Sequence, residues 1–214
     1  MKKLIVALLA LLPSFCMAQS NWEVPEQSKQ QQEKKALFQK KSKTVDAKYL
    51  EGAIPVVDGK VTFTLNVDAP GKDAQQIYET VYGILDAMTK EEKQFKESKI
   101  ALVDKTDHVI AARFREWLVF KSTALSLDRT VFNYTIIANC SDGHLNLTLS
   151  RINYAYELDR DNDGMEVNAE EWITDENALN KAKTKLLNYS GKFRRKTIDR
   201  KDEIFKIVSD ALEQ

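Results

Sequence analysis

Histidine, cysteine and glycine are all scarce in this chain of 214 residues, and each scarcity removes a class of chemistry. There are two histidines, His108 and His144. Both fall in expected turns, and neither belongs to a Gly-x-Ser-x-Gly or His-Glu-x-x-His pattern, so the sequence shows no nucleophile–base or zinc-hydrolase signature. Seven glycines are too few and too dispersed to build a phosphate-cradling loop. Of the two cysteines, Cys16 and Cys140, the first lies in an expected export signal, so no internal disulfide is expected and the core alone must hold the fold. Cys140, at a strand end on an apolar face, reads as a small buried hydrophobe. An excess of charge is missing too. Thirty-two Lys and Arg balance 32 Asp and Glu, which gives no basic footprint for nucleic acid and none for an anionic membrane surface.

Only the N-terminus carries a long apolar run. Lys2-Lys3 precede an uncharged stretch from Leu4 to Leu12, and Ala18 supplies a small residue for cleavage. The pattern predicts a signal peptide over 1–18 and a periplasmic, cell-envelope or secreted product. A lipoprotein acylated at Cys16 is the alternative, disfavoured by the bulk of Phe15. No other stretch reaches the roughly 20 apolar residues of a membrane helix. Residues 19–48, with Gln27, Gln30, Gln31 and Gln32 among many lysines, predict a flexible or weakly helical leader. A partner-binding helix is the other reading. Residues 49–214 are then one domain.

Period-two alternation organises that domain. Phe132, Tyr134, Ile136, Ala138 and Cys140 share one face, Ser141-Asp142-Gly143-His144 makes a turn, and Leu145, Leu147 and Leu149 share the return face. That is a hairpin signal. The apolar positions then change from odd (Leu149) to even (Ile152, Tyr154, Tyr156), which predicts a bulge or bend near Ser150-Arg151. Val61, Phe63, Leu65 and Val67 predict an earlier strand. A helix is expected from about Asp73 to Lys93, with a stripe of Ile77, Val81, Ile84, Leu85 and Met88. Residues 99–103 and 109–120 predict a second hairpin, and 122–129 a connection. Near the C-terminus, Thr174 or Asp175 is expected to cap a helix through Leu179 and Leu186, Gly191 to break it, and Asp199 to cap a last helix. The order predicts an α+β fold, a curved antiparallel sheet against a long helix with further C-terminal helices.

One motif is sharp. Asp159, Asp161 and Asp163 stand at places 1, 3 and 5 of a calcium-loop pattern, with Gly164 at 6 and Glu170 at 12. Ca²⁺ takes six to eight oxygens, and alternate carboxylates with a closing Glu can supply them. The flank Tyr154-Ala155-Tyr156 reads as strand, Glu166 holds the usually apolar eighth place, and no second loop pairs with this one. A solvated turn built on Asx chemistry explains the same residues. The run from Lys192 to Lys196, with Arg200 and Lys201, reads as a solvated basic connection or a site for phosphate or an acidic partner. Trp117 and Trp172 are candidates for a sugar platform or for boundary packing. Asn133 and Asn146 head glycosylation sequons that fall in expected strands, so they are set aside.

Several blocks together carry a resemblance. They are the stretch from Ile54 to Val61, Ala69-Pro70-Gly71-Lys72, Leu118-Val119-Phe120-Lys121, Phe132-Asn133-Tyr134, Ala169-Glu170-Glu171-Trp172, and Gly191 to Asp199. From about Tyr49 to the end, the chain resembles exported Bacteroidetes proteins with domain of unknown function 4468 and a TATA-binding-protein-like fold. The resemblance implies a curved antiparallel sheet gripping a long helix, with no assigned active site. Export without a nucleophile–base pair then predicts a non-catalytic envelope domain that binds a protein partner or small ligand and no nucleic acid. A calcium-binding domain is the alternative, and a hydrolase with carboxylates assembled in space is the third.

Overall fold

Alternation along six strands sets the layers of the molecule. The computed structural model describes residues 47–157 and 164–213. The expected signal peptide, nearly all of the expected leader, and Asp159, Asp161 and Asp163 lie outside them. A 3₁₀ turn (Ala47–Tyr49) is followed by a small hairpin of β1 (Val56–Val57) and β2 (Lys60–Val61). The main sheet comprises β3 (Phe63–Asp68), β4 (Lys99–Asp104), β5 (Val109–Thr123), β6 (Ser126–Ser141), β7 (His144–Tyr156) and β8 (Met165–Asn168). It is antiparallel, in the order β3-β7-β6-β5-β4, with β8 also paired to β7. The central hairpin is the expected one: Ser141 pairs with His144 across Asp142-Gly143, and Gly143 takes φ +71.

The predicted change of face on β7 is a bulge. Asn133 pairs with Asn153 but Thr135 pairs with Ser150, so Tyr134 alone opposes Arg151 and Ile152. Arg151 absorbs the extra residue at φ +54. Leu145, Leu147 and Leu149 therefore reach the same core as Ile152, Tyr154 and Tyr156, and all six are buried. One expectation fails nearby. Residues 122–129 are no connection but the end of a long hairpin, with Thr123 paired to Ser126 across Ala124-Leu125. Each strand there is ordered by its partner's ladder, a signal that local hydrophobicity does not carry.

Helix α1 (Ala74–Thr89) starts on a capping box in which Asp73 Oδ1 accepts from Gln76 N–H at 2.8 Å and Gln76 reaches back to the Asp73 N–H. Its stripe of Ile77, Val81, Leu85 and Met88 is buried against the sheet, with Ile84 partly so. The helix stops at Thr89 rather than near Lys93, because the next residues bond to β5 instead. Trp117 N–H donates to Lys93 O and Phe95 N–H to Arg115 O.

The C-terminal expectation needs the larger correction. After α2 (Ala169–Trp172), the helix capped at Thr174 is the short α3 (Asp175–Ala178). It ends where the Asn180 side chain accepts from the Thr184 and Lys185 N–H groups and turns the chain. Helix α4 (Ser190–Leu212) then runs unbroken through Gly191 and Asp199. Asp199 does not cap it. Its carboxylate accepts from Tyr49 OH at 2.7 Å and pairs with Lys48. Gly191 is small for packing: a Cβ there would lie 2.7 Å from Leu186 Cβ. Gly191→Ala is therefore expected to lower stability by about 1–3 kcal/mol through overpacking, despite the helix propensity it adds. Urea unfolding measures this, and a stabilised variant would show that Leu186 yields freely.

Candidate functional site

The two faces of the sheet differ in kind. Helices α1 and α4 cover the inner face, where Ile110, Phe114, Ile136 and Leu147 join one core with Phe193 and Ile204. Tyr154 OH and Thr197 Oγ1, 2.6 Å apart, tie α4 to β7 across that core. Side chains of the alternate positions stand on the opposite face.

That open face is ordered in cross-strand rows. Asn139, Asn146 and Asn66 are successive neighbours across β6, β7 and β3. Asn146 Nδ2 donates to Asn66 Oδ1 at 2.8 Å. Farther along, Arg115, Asn133, Asn153 and Asn168 are neighbours from β5 to β8, and Asn133 Nδ2 donates to Asn153 Oδ1 at 2.7 Å. Between these rows Thr135 stands beside Arg113 and Ser150, and Ile137 beside Ala111 and Thr148. Each bonded amide pair leaves one NH₂ group and one carbonyl of its own unused by that bond.

The same face holds cations that no carboxylate among the described residues pairs with. Lys99 lies opposite Arg113 on β4, and Arg129 stacks 3.6 Å from the Trp117 ring centroid. Arg115 packs over Phe95, and its Nε–H is buried with no acceptor among the described residues. Among the described residues, none of Lys99, Arg113, Arg115 and Arg129 has an ion pair. Glu166 stands on this face two places from Asn168 on β8, but two other acids are engaged elsewhere. Asp104 accepts from the Thr106 and Asp107 N–H groups, which hold its carboxyl below the usual range, and Asp68 Oδ1 lies 2.9 Å from His144 Nδ1.

The expected basic connection proves to be core. Lys192, Arg194 and Arg200 all lie on α4, and the helix turns them inward because Phe193, Thr197, Ile198 and Ile204 form its buried stripe. Lys192 Nζ sits 4.4–5.5 Å from the ring centroids of Phe120, Tyr156, Tyr189 and Phe193, and bonds Asp128 at 2.9 Å. Arg200 grips the buried Glu116 through Nε–Oε1 (2.8 Å) and Nη2–Oε2 (3.0 Å). Gln94 Nε2 and Tyr134 OH also donate to that carboxylate. Burial and the Glu116 charge hold the Tyr134 phenol well above its ordinary value. With four donors on its two oxygens, Glu116 has no lone pair placed to serve as a base. Glu116 belongs to no sequence motif, though a period-two signal marks it. It is the charged member of the run Ile110, Ala112, Phe114, Glu116, Leu118 on the apolar face of β5.

The other candidates are scattered. Glu170 Oε1 accepts from Val61 N–H at 2.8 Å, and the residue lines an open cleft of about 570 Å³ with Thr174, Asp175, Glu176 and Asn177. Tyr156 pairs with Met165, so the acidic segment joins two strands, where a calcium loop of this pattern joins two helices. Trp117 and Trp172 make no joint platform. The first is taken up by Arg129 and Phe95, the second by Tyr189 and Phe193. His108 Nε2 lies 3.2 Å from Gln75 Oε1 at a turn. Cys140 is buried, which pushes its thiol up to about 11. The native thiol is therefore expected to resist a disulfide reagent at pH 8 and to react at once in denaturant. Rapid native labelling would contradict the burial.

Sheet order and one-sided helical cover define a TATA-binding-protein-like α+β domain. The family model described as "Domain of unknown function (DUF4468) with TBP-like fold" matches residues 63–155, from β3 almost to the end of β7. A solved DUF4468 family protein from Bacteroides ovatus is 43% identical, with a TM-score of 0.73 over 80% of this chain and 97% of that one. The chain belongs to the DUF4468 family. A TBP-like protein from Parabacteroides distasonis shares the fold at 20% identity, with a TM-score of 0.60 over 75% of this chain and 97% of that one. No curated protein matches the chain. No helix among the described residues is long and apolar enough to cross a membrane.

Proposed function

We propose that this protein is an exported, non-catalytic domain that binds its ligand or partner on the open face of the sheet. The observation that carries the reading is the set of unneutralised cations, Lys99, Arg113, Arg115 and Arg129, among amides with unused donors and acceptors. A folded protein of balanced charge has carboxylates available for such groups, and leaving a guanidinium Nε–H buried without an acceptor costs stability. Acceptors of a ligand can reach the exposed Arg113 and Arg129 directly. The four donors on Glu116 support a structural role for the buried carboxylate and so a binding function. Export rests on the Lys2-Lys3 start, the uncharged run to Leu12 and Ala18.

Photo-crosslinking in the producing bacterium tests the site. A benzoylphenylalanine at Thr135, in the middle of the open face, is expected to give a slower-migrating adduct. The same group at Glu79, exposed on α1, is expected to give none. Adducts only from Glu79, or none from Thr135, would remove the open face as the site.

A further inference from the structure

We infer that the ligand of the open face is an acidic polysaccharide, a chain of hydroxyl-rich rings bearing carboxylates or sulfates. This rests on the binding reading above and names the ligand class for that same face. The charges come first. Arg113 and Arg115 follow one another on the same side of β5, about 7 Å apart, and Lys99 stands across from Arg113 about 5 Å away. Together with Arg129 they make a cationic band along one side of the face, suited to a linear anion. The rest of the face carries no net positive charge. Beyond the band lie Asn133, Asn153 and Asn168, and toward β3 lie Asn139, Asn146 and Asn66. Each bonded amide pair presents a donor and an acceptor together, and a sugar hydroxyl offers both in return. Asn139 and Asn168 have no hydrogen bond of their side chains within the described residues.

Other anionic chains fit less well. Single-stranded nucleic acid calls for aromatic faces on which bases stack, and the one indole here already carries a guanidinium 3.6 Å from its centroid. Double-stranded nucleic acid engages many phosphates at once, whereas this face holds four cations on a neutral protein. An acidic protein would bring an apolar centre to its interface, but the central row offers only Leu102, Ala111 and Ile137 between threonines.

Affinity electrophoresis and calorimetry of the mature chain, with polygalacturonate and chondroitin sulfate as probes, decide the matter. At least one is expected to bind, with affinity falling as salt rises, and fully methyl-esterified polygalacturonate is expected not to bind. Arg113→Gln should weaken binding about tenfold, as the loss of one charge-assisted contact. Asn153→Ala should weaken it less, and Lys206→Gln on the outer side of α4 should leave it unchanged. Circular dichroism melts of each variant keep a folding defect from passing as lost binding. Failure of both probes, or tighter binding to a single-stranded oligonucleotide or to polyglutamate, overturns the polysaccharide class. Adducts at Thr135 in that case leave the open face standing as the site. Binding that ignores Arg113→Gln but is lost in Lys206→Gln overturns the site itself.

Discussion

Replacing Arg194 with methionine is expected to cost about 3–5 kcal/mol of folding free energy, the range for breaking a buried ion pair from one side. The guanidinium is fully buried, and each of its three nitrogens donates a hydrogen bond. Nε donates to Tyr49 O at 2.6 Å, Nη1 to Ile173 O at 2.9 Å, and Nη2 to Leu50 O and Asp175 Oδ1 at 2.5 and 2.7 Å. One side chain thus joins the start of the domain to the link between α2 and α3. Methionine fills most of the space but orphans three carbonyls and a carboxylate. Lysine keeps the charge yet cannot fork to four acceptors, so Arg194→Lys should recover only part of the loss. The pH dependence gives a second readout. Burial alone would raise the Asp175 carboxyl, but the Gly52 N–H and Arg194 outweigh it and hold it below its ordinary value. A depressed carboxyl stabilises the fold above its unfolded pKa, about 3.9, and that contribution is lost as pH falls through the folded value. The gap between wild type and Arg194→Met should therefore be widest near pH 7 and shrink below about pH 4. Urea titrations at pH 7 and pH 3 measure it. A loss under 1 kcal/mol at neutral pH would show that the loop before β1 can reorganise without this anchor.

Arg194 also marks where reading the sequence stops. Strand faces were legible because alternation is local: Phe132 to Cys140 and Leu145 to Leu149 declare their inner side within a few residues. Even the bulge at Arg151 was legible as a change of parity. The run from Lys192 to Lys196 was not, because four cations around one Phe look solvated until helical spacing is laid through Gly191. That glycine reads as a breaker by propensity, and only the approach of Leu186 shows why it stands inside a helix. The binding face was hidden for another reason. Asn66, Asn146 and Asn139 become neighbours only once strand order and register are known, and the polar residues of a half-buried strand look alike from any single strand. Asn133 and Asn146 head sequons, a pattern unrelated to the rows they form.

Breaking the second buried pair separates structure from chemistry. Glu116→Leu alone should destabilise by about 3–5 kcal/mol, since it leaves the Arg200 guanidinium in the core without its bidentate partner. Arg200 is 4% exposed. Burial works against its charge, while Tyr134, Glu116 and Glu203 outweigh that and hold it protonated above its ordinary value. It cannot relieve the strain by losing its proton. Arg200→Leu alone should cost as much, because Glu116 would keep only Gln94 and Tyr134 as donors. The double variant should be less destabilised than either single one, since apolar side chains packed together often match a buried ion pair. Glu91 and Glu203, which also meet Arg200, lie far enough toward the surface to be solvated once it is gone. A double-mutant cycle by urea unfolding reads the coupling directly, and additive losses would mean that the two charges act apart. The same variant bears on function. Glu116 and Arg200 lie beneath the sheet on the helix side, so the folded double variant should keep whatever the open face binds. If binding survives while the buried charges are gone, the carboxylate–guanidinium cluster is architecture. Loss of function in a variant that still melts cooperatively would return Glu116 to consideration as a chemical group.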